Sequence, residues 1–184
     1  MDCTDENASL ELARKVLADP SLGSVDILIL SAGYLVAKPI LQMKSDEIYK
    51  TLNVNLMSNF WTVRAFLPNM LETGSGHIVS ICSVAAYMGL AYSTAYSSSK
   101  SGQRGFMQAL NHELKTCNKS SNIKTTTIYP SFVDTPLLKN LTPSSRFLDI
   151  LPVEYAAQCI VDDILWEKEE AFVPSYIPLL LLLL

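Results

Sequence analysis

The chain has 184 residues, 49% of them hydrophobic, which is enough to bury one sizeable core, so we expect one domain. A net charge of −4 at pH 7 argues against a nucleic-acid partner. The two histidines show no metal-ligand spacing, so no metal site is expected, and the four cysteines form no close pair, which is typical of reduced thiols in an intracellular protein.

The first predicted elements are a helix and a strand. Thr4 is the expected N-cap of the helix, and Pro20 and Gly23 end it. Its apolar stripe consists of Leu10, Ala13, Val16 and Leu17. Residues 25–30 form a nearly continuous apolar run, which is typical of a parallel strand covered on both faces. The small residues 31–33 would let a flat ligand approach the backbone, although an ordinary turn also explains them.

Two further helices are predicted before the next strand. Ser45, followed by two acidic residues, predicts the start of a helix that reaches toward Asn53. A longer helix is expected over residues 55–71, with a kink at Pro68. Its apolar positions cover more than one face, so one face would meet the sheet and another a partner chain. Asn55, early in this helix, is expected to bond local backbone groups.

Ser83, Tyr96 and Lys100 are the residues around which we predict the chemistry. Residues 77–82 form a second apolar run, and Ser83 follows it at the carboxyl end, where open α/β sheets collect their ligands. The next helix is expected to be capped by Ser93. Tyr96 and Lys100 are then four residues apart on that helix and project from one face.

An ammonium beside a phenol changes the acid–base chemistry of the phenol. A phenol has a pKa of about 10, and a neighbouring cation lowers it toward neutral pH. Tyr96 would then exchange a proton with a substrate oxygen held by the Ser83 hydroxyl, while a nicotinamide cofactor carries the hydride. A tyrosine and a lysine four residues apart also occur by chance as a surface pair, so the surrounding motifs decide between the two interpretations.

The rest of the chain continues the alternation of helices and strands. Residues 125–129 predict a third strand, residues 153–167 a helix and residues 171–174 a last strand. This alternation predicts an α/β fold, a parallel sheet with helices on both faces. Residues 136–152 are irregular and would form an apolar flap over a hydrophobic substrate, or a loop packed on its own domain. The large apolar residues of this segment are Leu137, Leu138, Leu141, Phe147 and Leu151.

The last stretch, residues 176–184, is expected to be an apolar tail outside a domain formed by residues 1–175. Its six consecutive leucines are too few to cross a bilayer, since a single span needs about 20 apolar residues. They would anchor in a membrane interface, begin a longer segment, or be low-complexity sequence.

Taken in order, these motifs resemble those of the short-chain dehydrogenase/reductase family from the first residues to about Pro174. The matching segments are Asp2-Cys3-Thr4, Leu30-Ser31-Ala32-Gly33, Asn55, Ser83, Tyr96, Lys100 and Pro130-Ser131-Phe132-Val133-Asp134-Thr135. The resemblance implies a three-layer Rossmann-like domain and an oxidoreductase that uses NAD or NADP.

The resemblance also implies a role for each matching residue. Tyr96 is the general acid/base, Ser83 holds the reacting oxygen, and Lys100 lowers the tyrosine pKa and binds the nicotinamide ribose. Asn55 helps to hold the water path along which protons leave. The other implied cofactor contacts are Asp2, at the adenine, and Ala32, Gly33, Pro130, Val133 and Thr135.

Three departures from the family pattern affect the prediction. Leu30 and Ser31 replace two asparagines that tie neighbouring strands together, and Ser131 replaces a glycine next to the nicotinamide. No Gly-x-x-x-Gly-x-Gly occurs in the sequence, so we expect a fold that lacks the first strands and the loop that holds the pyrophosphate. We therefore expect a fragment or incomplete product of a longer oxidoreductase, with weak cofactor binding and with residues 25–30 at an open sheet edge.

Several segments resemble one branch of the family, the membrane- and lipid-droplet-associated retinol and 17-beta-hydroxysteroid dehydrogenases. They are Phe60-Trp61-Thr62, Phe66-Leu67-Pro68, Gly76-His77-Ile78-Val79, Lys124-Thr125-Thr126 and Tyr155-Ala156-Ala157. The branch implies a small hydrophobic substrate, such as a retinoid or steroid alcohol or ketone. It also implies a location at the endoplasmic reticulum membrane or at the surface of a lipid droplet, or otherwise in the cytoplasm. The resemblance further implies a homodimer through residues 55–71 and 94–115. The alternative is a non-catalytic member of the fold that acts as a membrane-bound binding or scaffold protein.

Overall fold

The fold is described from a computed structural model, which covers residues 2–116, 122–138 and 149–182. The strands are β1 (Ile27–Leu30), β2 (Gly76–Ile81), β3 (Ile123–Pro130) and β4 (Glu170–Val173). The helices are α1 (Glu6–Leu17), α2 (Ser45–Leu52), α3 (Ser58–Thr73), α4 (Thr94–Thr116), α5 (Val153–Leu165) and α6 (Ile177–Leu181). Short 3₁₀ turns lie at Ile40–Gln42, Val84–Ala86 and Pro136–Leu138, and a π-helical turn lies at Asn53–Met57.

The four strands form one parallel sheet in the order β1-β2-β3-β4. Strands β2 and β3 are buried almost throughout, as their apolar runs predict. The expectation that the first strand is covered on both faces is wrong, because its residues alternate between exposed and buried. Ile27 and Ile29 are 47% and 52% exposed, and within the described part of the chain β1 pairs only with β2. The predicted open edge is therefore present.

Helices cover both faces of the sheet, so the predicted three-layer α/β fold is confirmed. On one face, α1, α3 and α4 bury the cluster that includes Leu28, Ile78 and Met107. On the opposite face, α5 packs over β3 and β4 and buries the cluster that includes Val79 and Ile128. Successive side chains of a strand point to opposite faces, which is why the neighbours Ile78 and Val79 belong to different clusters.

Some predicted boundaries shift in the structure. The N-cap of α1 is Asp5 rather than Thr4, because the Asp5 carboxylate accepts from the backbone N–H of Asn7 at 2.8 Å and of Ala8 at 3.2 Å. The Thr4 hydroxyl instead donates to Asp2 at 2.8 Å. Helix α1 already ends at Leu17, before the proline that was expected to stop it, and α5 ends at Leu165.

The two helices predicted over residues 45–53 and 55–71 are joined without a loop. Helix α2 runs into the π-helical turn at Asn53–Met57, and α3 continues from it to Thr73. The turn contains Asn55, and π-helical turns occur frequently at functional sites. Gly74 closes α3 with a φ of 72°, a backbone conformation that glycine adopts without steric cost.

The predicted leucine tail begins as the short helix α6. Its Ile177 is 1% exposed, and Leu180 and Leu181 pack against the buried cluster of Cys82, Val84, Ala86 and Tyr129. Over the residues that the structure describes, no helix is long and apolar enough to cross a membrane. Leu183 and Leu184, together with Leu141 and Phe147 of the predicted flap, lie outside the described residues.

Candidate active site

A cavity of about 400 Å³ opens at the carboxyl ends of β1, β2 and β3. Its polar wall consists of Ser31, Cys82, Ser83, Tyr96, Ser131 and Thr135. The remaining lining is apolar: Leu35, Ile81, Val84, Leu90, Pro130, Phe132, Val133, Leu137, Leu138, Val153, Ala156, Ala157 and Ile160. The cavity therefore suits a ligand that is mainly apolar and carries a polar group at one end.

Ser83 is positioned by the end of strand β2. It caps the short turn at Val84–Ala86, and its hydroxyl oxygen accepts from the backbone N–H of Ala85 at 3.1 Å. That bond uses a lone pair of the oxygen and leaves the O–H as a donor, which the Tyr96 phenol oxygen can accept when no ligand is bound. Ser83 can thus offer a hydrogen-bond donor to an oxygen atom in the cavity.

Tyr96 lies in the first turn of α4 and is 8% exposed. Burial raises its pKa to about 12, and hydrogen bonding by the Ser83 hydroxyl offsets only part of this rise. The phenol is therefore protonated at neutral pH. In the chain on its own, burial dominates this pKa, and the predicted lowering of the pKa by Lys100 stays a prediction.

Lys100 is 3% exposed, and its ammonium points toward strand β2. The ammonium donates to the backbone carbonyl of Ile81 at 3.1 Å and to the side-chain oxygen of Gln103 at 2.8 Å. It lies 5.8 Å from the centroid of the Tyr96 ring. Burial lowers the pKa of Lys100 to about 8, and the neighbouring Cys82 thiol acts in the opposite direction.

Asn55 is fully buried in the π-helical turn and connects three segments. Its side-chain oxygen accepts from the Tyr34 backbone N–H at 2.7 Å, and its amide nitrogen donates to the Tyr34 carbonyl at 2.9 Å. The same nitrogen donates to the Ser99 hydroxyl at 2.9 Å, and that hydroxyl donates to the carbonyl of Tyr96 at 2.7 Å. Local backbone bonding was expected for this amide early in a helix. The amide instead ties the loop after β1 to α4.

The residues predicted to contact a cofactor divide into two groups. Pro130, Val133 and Thr135 line the cavity with Tyr96 and Ser83, whereas Ala32 and Gly33 do not line it, although their neighbour Ser31 does. Asp2 also lies outside the cavity lining, and its carboxylate accepts from the backbone N–H of Thr4 at 2.9 Å. Cofactor contacts by all these residues stay predictions.

The structure adds residues that the motifs did not indicate. Gln103 and Ser99 contact the catalytic candidates directly, although neither was chosen from the sequence. Gln103 follows Lys100 by three residues, so helical spacing alone would have placed the two side chains together. The apolar wall from the loop after β1 and from α5 depends on distant contacts, whereas Leu137 and Leu138 belong to the predicted apolar flap and do line the cavity. Within the described residues, no group of three metal-ligating side chains occurs.

A buried serine follows strand β2 of the parallel sheet, and a buried tyrosine and lysine lie nearby on α4. This arrangement suits an oxidoreductase. A family model of the short chain dehydrogenases matches residues 1–146. The chain therefore belongs to the short-chain dehydrogenase family, and this confirms the resemblance stated from its motifs.

Curated relatives extend this result to one branch of the family. The chain is 40% identical over 156 residues to the rat (Rattus norvegicus) 17-beta-hydroxysteroid dehydrogenase 13, covering 85% of this chain and 51% of that protein. It is 34% identical over 180 residues to the human (Homo sapiens) estradiol 17-beta-dehydrogenase 11, covering 98% of this chain and 58% of that protein. The chain thus spans about half the length of the curated relatives it matches. These matches support the predicted retinol and hydroxysteroid dehydrogenase branch.

Solved structures agree on the fold. A metagenomic short-chain oxidoreductase in complex with NADP superimposes with a TM-score of 0.63 at 31% identity, covering 70% of this chain and 56% of that one. A short chain dehydrogenase from Burkholderia cenocepacia J2315, also in complex with NADP, gives a TM-score of 0.78 and covers 94% of this chain and 66% of that one. At 20% identity, the second match supports the fold alone.

Proposed function

We propose that this chain provides the acid–base and substrate-binding part of an NAD- or NADP-dependent oxidoreductase that interconverts a hydrophobic alcohol and its ketone or aldehyde. One observation carries the proposal: the hydroxyls of Ser83 and Tyr96 line the same cavity, whose other walls are mostly apolar. Two hydroxyls in one cavity can address a single substrate oxygen, and the apolar lining favours a retinoid- or steroid-like molecule.

The residues around the cavity fit the nicotinamide end of such a cofactor. The Ser131 residue lines the cavity, and its buried hydroxyl has no hydrogen-bond partner among the described residues, so a polar ligand group would satisfy it. The Lys100 ammonium lies behind Tyr96 and does not line the cavity; it makes two hydrogen bonds and has three N–H groups, which would leave one for a ligand hydroxyl that reaches it. When bound, the nicotinamide would supply or accept the hydride.

In the reducing direction, Tyr96 supplies the proton. Because its pKa is raised to about 12, the phenol holds its proton at neutral pH and can donate it to the carbonyl oxygen of a substrate. The Ser83 O–H donates a hydrogen bond to the same oxygen and stabilises the negative charge that develops there. The reverse reaction requires the phenolate, which the positive charge of Lys100 favours.

A tyrosine pair of variants tests the proposal. The full chain is incubated with retinal or a steroid ketone and with millimolar NADPH, which offsets the weak cofactor binding that we expect, and product formation is measured. Tyr96→Phe removes the proton donor and should lower kcat by at least about 100-fold. The control Tyr49→Phe changes an exposed tyrosine of α2, 67% accessible, and should leave kcat unchanged. A Tyr96→Phe variant that turns over like the unmodified chain would contradict the proposal.

A second candidate function is that of a non-catalytic binding or scaffold protein at a membrane or lipid droplet. The observation that favours it is the absence of a Gly-x-x-x-Gly-x-Gly segment from the sequence. Calorimetric titration with NADP(H) and with a retinoid separates the two. Retinoid binding without turnover at saturating cofactor supports the binding protein, and tight NADP(H) binding would contradict the expected weak cofactor affinity.

Location and assembly are part of the same proposal. The protein would lie at the endoplasmic reticulum membrane or a lipid droplet. In the tail predicted over residues 176–184, the exposed Leu179 and Leu182 would form the apolar contact, since Ile177, Leu180 and Leu181 pack on the domain of residues 1–175. We also propose a homodimer through α3 and α4, where Phe60 is 38% exposed and its ring centroid lies 4.5 Å from that of Phe106. Sedimentation of the Phe60→Glu variant tests the dimer, since a charge on this face should yield a monomer.

A further inference from the structure

A buried chain of hydrogen bonds lies behind the candidate active site. The Lys100 ammonium donates to the side-chain oxygen of Gln103 at 2.8 Å. The side-chain nitrogen of Gln103 donates in turn to the Ser80 hydroxyl at 2.8 Å. Gln103 and Ser80 are both 0% exposed, and Ser80 belongs to the central strand β2. The ammonium is thereby connected to the sheet through a glutamine side chain.

The position of the Gln103 amide is fixed at both ends. A buried glutamine needs partners for its oxygen and for its nitrogen, and the two ends have opposite bonding requirements. An ammonium can only donate, so it must meet the amide oxygen, and the nitrogen must then face Ser80. The Ile81 carbonyl, 3.1 Å from the ammonium, is the second acceptor on the same side. Both acceptors hold the ammonium on the strand side of the Tyr96 ring.

We propose that Gln103 is a positioning residue of this site, which fixes the place and the charge of the Lys100 ammonium behind Tyr96. The inference rests on the proposed function, because it gives the lysine a role in proton transfer. Without the glutamine oxygen, the ammonium would keep only the Ile81 carbonyl as a protein acceptor in a site closed to water. The charged form of Lys100 would then be less favourable, and its effect on the phenol would weaken.

Other ionisable groups near the ammonium do not replace this role. The Cys82 thiol, on the segment after β2, acts on the charge of Lys100. The Tyr96 ring, on the same helix as the lysine, has its centroid 5.8 Å from the ammonium. Arg104, the next residue of the helix after Gln103, stacks on the Tyr87 ring at 4.0 Å. Among the described residues, no carboxylate forms an ion pair with Lys100.

The test measures the pKa of Lys100 directly, by an NMR titration of the lysine side-chain carbon next to the ammonium in the full chain. The signal is assigned by its loss in Lys100→Arg. Gln103→Met removes the acceptor at nearly constant volume and should lower this pKa by about one unit. Gln103→Glu replaces the amide with a carboxylate and should raise it. Ser80→Ala removes the closer of two acceptors of the glutamine nitrogen, which keeps the Ile81 carbonyl at 3.5 Å, and should lower the pKa of Lys100 by less.

The control is Gln108→Met, the same substitution at an exposed glutamine of α4, which should leave the pKa of Lys100 unchanged. Opposite shifts in Gln103→Met and Gln103→Glu support the proposal. Equal pKa values in all variants would overturn it and leave Gln103 with a packing role. Because the titration does not require turnover, this outcome is separate from failure of the proposed function. In turnover assays, the alkaline limb of the kcat profile should move with the lysine pKa.

Discussion

Replacing Asn55 by alanine removes every side-chain hydrogen bond that this residue makes in the described structure. The residue is 0% exposed, and its amide makes three bonds of 2.7 to 2.9 Å, two with the Tyr34 backbone and one with Ser99. A buried hydrogen bond contributes about 1 kcal/mol net, so Asn55→Ala should lower the free energy of unfolding by about 3 kcal/mol. Equilibrium urea unfolding measures this loss.

Asn55→Asp tests the contribution of the amide oxygen separately from that of the amide nitrogen. A carboxylate still accepts from the Tyr34 N–H, but it cannot donate to the Tyr34 carbonyl or to Ser99. The buried carboxyl should have a raised pKa, so its folded form binds more protons than its unfolded form near pH 5. Lowering the pH from 7 to 5 should therefore stabilise Asn55→Asp relative to the unmodified chain.

Asn53 provides the control, because it is an exposed asparagine in the same π-helical turn. Asn53→Ala should change the free energy of unfolding by less than about 0.5 kcal/mol. Amide hydrogen exchange at Tyr34 adds a local measurement, since this amide should lose protection only in Asn55→Ala. Equal stabilities of the two alanine variants, with Tyr34 still protected, would refute the assigned role of Asn55.

Three further predictions concern charge, packing and association. Burial lowers the pKa of Lys100 to about 8, so between about pH 8 and 10 the unfolded chain binds more protons than the folded chain. The free energy of unfolding should therefore rise with pH over this range, and Lys100→Met should lack the rise in urea unfolding measured at several pH values. A Cβ at Gly102 would lie 2.8 Å from Leu56 Cδ2, so Gly102→Ala should lower the free energy of unfolding by about 1–3 kcal/mol. A Cβ at Gly105 would meet no described atom within 4 Å, so Gly105→Ala should raise it by up to about 1 kcal/mol. Thermal melts measure both changes. Ile29→Lys puts a charge on the exposed face of edge strand β1 and should reduce aggregation measured by light scattering; an unchanged signal would exclude this edge as the site of association.

The order of the elements and the proximity of the candidate site residues were readable from the sequence. Apolar runs placed the buried strands, and the four-residue spacing of Tyr96 and Lys100 placed both side chains near one site. Ser83 followed from its position after the second strand. These predictions succeed because helical and strand periodicities are local properties of the chain.

The burial of individual side chains, by contrast, could be determined only from the tertiary structure. The sequence predicted a cation that lowers the pKa of Tyr96, but the pKa is raised to about 12 because the phenol is enclosed by neighbouring segments. Ile29 is 52% exposed although it lies in an apolar run that predicted cover on both faces, and no local pattern records this exposure. The partner of Asn55 in the π-helical turn is likewise distant, since Tyr34 lies 21 residues earlier in the chain.

By itself, the sequence determined the fold class, the order of the elements and the hydroxyl, phenol and ammonium groups of the site. Only the tertiary structure decided which of these groups are cut off from water and which partners they meet, such as Gln103 for Lys100. The physical reason is that residue type and spacing are encoded locally, whereas desolvation and hydrogen bonding depend on segments that are distant in the chain.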